Sequence, residues 1–301
     1  MIVVAVQTSE LLDAVGEVEG VEILLWPEAE EHAPRADEIE FLVPDYIRTR
    51  RTARMLGSLP RLRALQLQTA GYDSVLDLVP PGIDLLSARG VHDDATAELA
   101  LGLTIASLRG IDTAVRDAGH WTQEVERRSL ADSRVAILGY GSIGRAIAER
   151  MLACRAVVTG VATSSREDDV LGHVVTAGEV DWSAQHVVVV VTPLTPATRH
   201  LVDAEFLARL QDDALVVNVG RGALLDSDAV LAEAGRLRFA LDVTDPEPLP
   251  DGHPLWTAPG VMITPHIAGG TTAMLPRMAA LLRDQLERYR DGRPLRNLVP
   301  R

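Results

Sequence analysis

Three side chains in the last third of the chain are of the types that acid–base chemistry at a carbonyl group needs. Arg221 stands on a glycine-flanked turn, Asn218-Val219-Gly220-Arg221-Gly222. Glu247 follows Asp242 within Asp242-Val243-Thr244-Asp245-Pro246-Glu247-Pro248. His266 lies in Thr264-Pro265-His266-Ile267-Ala268-Gly269-Gly270. A planar guanidinium holds a carboxylate or a carbonyl oxygen through its fork of donors. An imidazole that titrates near neutrality can pass a proton to that oxygen. A neighbouring carboxylate fixes the imidazole tautomer and favours its charged form. Such proton transfer is worth about 10²–10⁴ in rate.

A second constellation precedes them. Gly139, Gly141 and Gly144 have G-x-G-x-x-G spacing in Gly139-Tyr140-Gly141-Ser142-Ile143-Gly144. The apolar run Val135 to Leu138 leads in as a buried strand, and Arg145 to Leu152 leads out with helical periodicity. In that setting each glycine has a mechanical task. Gly139 makes the tight turn, Gly141 lets backbone approach a pyrophosphate, and Gly144 lets helix and strand pack closely. The helix N-terminus then offers free N–H groups to the diphosphate. The pattern therefore points to a dinucleotide site.

The elements that position these residues follow from the hydrophobic pattern. Residues 1 to about 93 alternate strands with helices or loops: Ile2–Val6, Val21–Leu25, Ile39–Val43, Ala64–Gln68 and Ile83–Ser87 read as strands. The stretch Arg50–Leu56 between them reads as amphipathic. This βαβ rhythm predicts a parallel sheet. The turns Pro44-Asp45-Tyr46 and Thr69-Ala70-Gly71-Tyr72-Asp73 follow the third and fourth strands, where open α/β sheets bind ligands. A Leu/Ala-rich helix runs from His92 to about Leu108, with Asp93 or Asp94 available to cap it. A less regular amphipathic stretch, Asp112 to Arg128, includes Trp121. Six further strands are expected: Val135–Leu138, Val157–Ala162, His186–Thr192, Leu215–Val219, Phe239–Val243 and Val261–Thr264. The unbroken valine run Val187 to Val191 suits a central strand buried on both faces. Arg166-Glu167-Asp168-Asp169 reads as a short charged loop, and a last helix spans about Thr271 to Arg290.

With 301 residues, 47% hydrophobic and 24% charged, the chain suits a soluble globular protein of about two domains. A net charge of −14 provides no broad basic surface, so neither nucleic acid nor an anionic membrane is an expected partner. No apolar run is long enough to span a bilayer, and Met1 to Val6 reads as a first strand rather than a signal peptide. The single cysteine, Cys154, forbids an internal disulfide, reads as a buried structural thiol and fits a reducing, cytoplasmic setting. His32, His92, His120, His173, His186, His200 and His253 read as structural or surface groups. No Cys/His cluster has metal-ligand spacing.

In their order along the chain, the glycine loop, Asn-Val-Gly-Arg-Gly, the Asp…Glu segment and Pro-His-Ile resemble the D-isomer-specific 2-hydroxyacid dehydrogenases. The resemblance covers nearly the whole chain. It implies two doubly wound α/β domains: a smaller flavodoxin-like substrate domain (1–93 plus 272–301) and a Rossmann dinucleotide-binding domain (94–271). It implies that Arg221 binds the 2-oxo acid, that Glu247 pairs with His266, and that His266 is the general acid/base. Asp242 would hold the nicotinamide carboxamide, with Thr96 nearby and Thr192, Pro193 and Val219 along the cofactor. Backbone groups of Ala70 and Gly71 would bind the substrate carboxylate. A homodimer joined through the cofactor domain is also implied, with Trp121 in the dimer arm. The expected reaction is reduction of a small 2-oxo acid, such as glyoxylate or hydroxypyruvate, to the D-2-hydroxy acid. Two alternatives stay open: a corepressor-like scaffold that senses NAD(P), and oxidation of another small donor such as phosphite. Formate fits less well, because the formate enzymes carry Gln in place of the paired acid.

Folds that prefer NAD put an acid at the end of the second strand, about 20 residues past the fingerprint, to bind the ribose 2′-OH. Here that place falls near Ala162, and Thr163-Ser164-Ser165-Arg166 follows without an acid. Hydroxyls and a guanidinium favour NADP(H) over NAD(H). Glu167, Asp168 and Asp169, directly after, oppose it.

Overall fold

The structure is a computed structural model and describes residues 1–27, 32–47, 49–121 and 126–300. It divides into two compact units, Met1–His92 with Thr271–Arg301, and Asp93–Gly270. Part of the stretch Asp112 to Arg128, residues 122–125, lies outside the described residues.

In the first unit, β1 (Ile2–Val6), β2 (Val21–Leu25), β3 (Ile39–Val43), β4 (Ala64–Gln66) and β5 (Asp84–Leu86) form one parallel sheet ordered β2-β1-β3-β4-β5. That is the flavodoxin-like order. Successive strand side chains point to opposite faces. Val3, Ala5, Leu42, Leu65 and Leu85 therefore join Trp26 in one core, while Val4, Val6, Phe41, Val43 and Leu86 join another. Helix α1 (Ser9–Val15) and the C-terminal helix, Met274–Arg290, cover the second core with Leu11, Met278, Leu282 and Leu286. Gln285 of that helix is buried, and its Nε2 donates to Gln66 Oε1 and to the Arg296 carbonyl, both at 2.9 Å. The chain end is thus tied into the first sheet.

Strands β4 and β5 end before Gln68 and Ser87, because the backbone there leaves the ladder. Ser87 N–H donates to the Asn297 carbonyl and Ala88 N–H to the Thr69 carbonyl. The amphipathic stretch Arg50–Leu56 is a short α2 (Thr49–Ala53) followed by a 3₁₀ turn, Leu56–Ser58.

The second unit opens with α3 (Asp93–Arg109) and α4 (Ile111–Arg116). Asp93 and Asp94 lie within the first turn of α3 rather than ahead of it, and Asp94 accepts from Arg150 at 2.7 Å. Then come β6 (Arg134–Leu138), α5 (Ser142–Ala153), β7 (Val157–Val161), β8 (Arg166–Asp168), β9 (Gly172–Val175), β10 (Val187–Val190), α6 (Ala204–Ala208), β11 (Leu215–Asn218), α7 (Ser227–Glu233), β12 (Arg238–Leu241) and β13 (Val261–Ile263). They build an eight-stranded sheet ordered β13-β12-β11-β10-β6-β7-β9-β8, parallel except for β8. The six expected strands are present, shorter at some ends, but β8 and β9 extend the sheet. The charged segment from Arg166 is therefore an edge strand, not a loop. It pairs Arg166 with Val174, Glu167 with His173 and Asp168 with Gly172.

The valine strand divides its side chains between two cores. Val188 and Val190 face Trp182, Leu207 and Val230, whereas Val187 and Val189 face Ala100, Leu103, Ile147 and Met151. Each buried aliphatic side chain contributes about 1.5–3 kcal/mol. Such a double-sided sheet holds its strand ends rigidly, and the loops beyond them carry the candidate site. Cys154 closes α5 and is half-buried, more open than a core thiol.

Candidate active site

The loop after β13 is organised by one buried carboxylate. Asp242, 1% exposed, accepts at Oδ1 from the Thr264 hydroxyl at 2.6 Å and from Ile267 N–H at 3.0 Å. Its Oδ2 accepts from Ala268 N–H at 3.0 Å. The backbone joins in, with His266 N–H donating to the Asp242 carbonyl at 2.8 Å. His266 thereby adopts φ +52, a conformation uncommon outside glycine. Its Nδ1 donates to Glu247 Oε1. That bond raises the imidazole pKa, the glutamate charge adds to it, and burial and the nearby Arg221 charge work against it. With Nδ1 engaged, Nε2 is the nitrogen left for proton exchange, and at 42% exposure the side chain is open to a ligand.

Arg221 is held by the turn after β11. The buried Asn218 donates from Nδ2 to the Arg221 carbonyl at 2.8 Å and accepts from Gly220 N–H at 3.1 Å. The guanidinium donates to the Gly220 carbonyl at 2.9 Å. Next to it, a Cβ at Gly222 would lie 1.8 Å from the Thr244 carbonyl oxygen, so only glycine allows this turn to abut the loop after β12. Those two loops and the one after β13 bring Arg221, Glu247 and His266 together. Asn218 and Thr264 lie in the two motifs, but a polar residue type alone does not specify which group it holds.

The glycine loop follows β6, beside the point where the strand order reverses toward β10. Gly139 has φ +113, and a Cβ on it would fall 2.5 Å from Thr192 N. A Cβ on Gly144 would fall 2.4 Å from the Gly139 carbonyl oxygen. Gly141, at the N-cap of α5, instead faces open space, which leaves room for a diphosphate before Ser142, Ile143 and Gly144. The segment from Thr192 is itself a built turn, with Thr198 Oγ1 donating to the Pro193 carbonyl at 2.7 Å. Val219 continues β11 through a hydrogen bond to Val190.

Residues 101–268 match the model of the D-isomer specific 2-hydroxyacid dehydrogenase NAD binding domain. The chain is 30% identical over 287 residues to the glyoxylate reductase of Aeropyrum pernix, covering 89% of this chain and 84% of that protein. The chain belongs to the D-isomer-specific 2-hydroxyacid dehydrogenase family. It is 34% identical over 267 residues to glyoxylate/hydroxypyruvate reductase B of Pectobacterium carotovorum, covering 81% of each. Among solved structures, the family member from Xanthobacter autotrophicus Py2 in complex with NADPH and MES superposes with TM-score 0.84 at 25% identity, over 99% of this chain and 98% of that one. As a member of this family, the chain is an NAD(P)-dependent oxidoreductase acting on CH–OH groups of D-2-hydroxy acids.

Thr96 is buried in the first turn of α3. Ala70 and Gly71 belong to the first unit, in the loop after β4, where the Thr69 hydroxyl donates to the Gly71 carbonyl at 2.7 Å. That loop is pinned by His92, whose Nε2 donates to the Gln68 carbonyl at 2.7 Å, and by Gln68 Nε2, which donates to the Pro44 carbonyl at 2.8 Å. Beyond β7, Thr163 and Ser164 are exposed, and the Ser165 hydroxyl donates to Glu179 at 2.8 Å. Arg166 donates to the Tyr140 carbonyl at 2.6 Å. Among the described residues no helix is long and apolar enough to cross a membrane.

Proposed function

We propose that this enzyme reduces a small 2-oxo acid of the glyoxylate or hydroxypyruvate type to the D-2-hydroxy acid, with His266 as general acid. The observation that carries the reading is the Glu247–His266 pair beside Arg221, in the same unit as the glycine loop. The dinucleotide fits the chain's own residues: Gly141 leaves an open cradle at a helix N-terminus, and the Thr192 turn closes against Gly139. When bound, the nicotinamide supplies the hydride.

Arg221 then holds the carboxylate and the 2-oxo oxygen of the substrate through its donor fork. His266 Nε2 delivers the proton to that oxygen, and Glu247 stabilises the imidazolium until it does so. Asp242 keeps one oxygen lightly loaded, with a single N–H from Ala268, which suits a carboxamide donor. Ala70 and Gly71 are assigned to the substrate carboxylate on the family likeness. The named activities of the relatives support the substrate class.

NADP(H) is the favoured cofactor, because no acid follows β7 until Glu167 and because Arg166 reaches the glycine loop. Exposed Ile111, Val115 and Trp121 support a homodimer through the second unit, and the single cysteine supports a cytoplasmic setting. The test is a panel of 2-oxo acids assayed with NADPH and NADH. Turnover of glyoxylate or hydroxypyruvate with NADPH, lost in His266→Gln while NADPH still binds, is the expected result. Full turnover in that variant refutes the role of His266, and a strong NADH preference refutes the cofactor assignment.

A further inference from the structure

The acids that follow Arg166 stand where a 2′-phosphate site should be poorest. The fold disposes of them one by one. Because Arg166–Asp168 is a strand, alternation sends Glu167 to one face and Arg166 with Asp168 to the other. Glu167 ends 3.2 Å from His173 Nδ1. Glu179 is consumed by Thr176, through its backbone and hydroxyl, and by Ser165.

On the other face, Arg166 and Asp168 both close on Tyr140. The guanidinium lies 5.9 Å from the ring centroid in addition to its bond to the Tyr140 carbonyl. The Tyr140 hydroxyl donates to Asp168 Oδ1 at 2.8 Å. The ring fits there only because Gly160 has no Cβ, which would come within 2.7 Å of it. Asp168 Oδ1 also accepts from Val170 and Leu171 N–H, both at 3.0 Å.

The second cation of the cluster is Arg145, the first residue after the fingerprint. It grips Asp169 with two parallel hydrogen bonds, one of them at 2.9 Å, lies 3.4 Å from Asp168 Oδ2, and approaches Glu149 at 3.3 Å. This grip holds the Asp169 carboxyl at about 2.

From this geometry we infer that Arg145 is a specificity-determining residue: it takes Asp168 and Asp169 out of the field around the adenosine ribose, so that Arg166 can receive a 2′-phosphomonoester. Arg145 acts through the acids and is a positioning residue rather than a phosphate ligand. The inference rests on the NADP(H) reading above.

The experiment uses the full-length enzyme and three proteins: wild type, Arg145→Ala and the double variant Arg145→Ala/Asp169→Asn. Two readouts serve: kcat/KM with NADPH and with NADH, and calorimetric binding of adenosine 2′,5′-bisphosphate against 5′-AMP. Arg145→Ala is expected to raise KM for NADPH about tenfold and weaken the bisphosphate equally, about 1.4 kcal/mol. Its kcat and its NADH kinetics should move less than about twofold. The double variant should recover NADPH binding to within about threefold of wild type, because Asp169 has lost its charge while Asp168 keeps the Tyr140 hydroxyl and two backbone N–H donors. Failure of the double variant to recover overturns the inference, since Arg145 would then touch phosphate itself. Equal losses with NADPH and NADH overturn it too, as a structural effect. A wild type that binds 5′-AMP and the bisphosphate alike removes the NADP(H) reading, an outcome separate from a failed rescue.

Discussion

Two regions of the second unit set carboxylates beside a cationic partner, to opposite ends. At the loop after β13, Glu247 holds one nitrogen of His266 and leaves the other for a ligand. At the edge hairpin, Asp168 accepts from the Tyr140 hydroxyl and two backbone N–H groups and lies beside Arg145, while the exposed Asp169 is gripped by Arg145. The first pair keeps a proton available for transfer. The second ties its charges to fixed donors, which offset them. What separates them is the partner: a titratable imidazole at Glu247, and a permanently charged guanidinium at Asp169 and beside Asp168.

The largest effect is expected in the scaffold that carries Arg221. Gly222→Ala forces a Cβ into the Thr244 carbonyl and should cost about 4 kcal/mol or more, read as a collapse of Tm and loss of Arg221 placement. Next comes His266→Gln, expected to lower kcat by about 10²–10⁴ with cofactor binding kept. Cofactor dissociation constants for both proteins check it.

Glu247→Gln sharpens the contrast. It removes a charge-assisted bond of about 1.5–3 kcal/mol, so turnover should fall about 10- to 100-fold. Because Glu247 is the largest cause of the raised His266 pKa, the pH at which reductive kcat/KM falls should move lower in this variant. The sign follows from the proton. Reduction needs the imidazolium, so the rate is full below the raised pKa and is lost as pH rises through it. Stability from the pair has the same sense: present below the unfolded value near 6.5 and lost as pH climbs through the folded one. A pH–rate profile that does not move would remove Glu247 from the mechanism.

The smallest effect is expected at the hairpin. Arg166→Ala should weaken NADPH about tenfold and leave NADH unchanged, measured as the ratio of the two kcat/KM values. Equal losses would make Arg166 a structural strut for Tyr140.

The long parallel strands were legible because burial on both faces writes them as unbroken apolar runs, as in Val187 to Val190. Strand β8 was not, since a three-residue edge strand of Arg, Glu and Asp pairs through backbone and has no apolar pattern to show. The same limit hid the fate of Asp168 and Asp169, whose partners Tyr140 and Arg145 lie on another element.

By itself the sequence determined the α/β fold, the glycine fingerprint and the residue types available for proton transfer, because these are local properties of spacing and composition. Only the tertiary structure decided which nitrogen of His266 is engaged, how Asp242 shapes the loop that carries it, and which acids near Arg166 still act as charges. Those depend on hydrogen bonds between residues far apart in the chain, and an electrostatic field is set by distance in space rather than along the sequence.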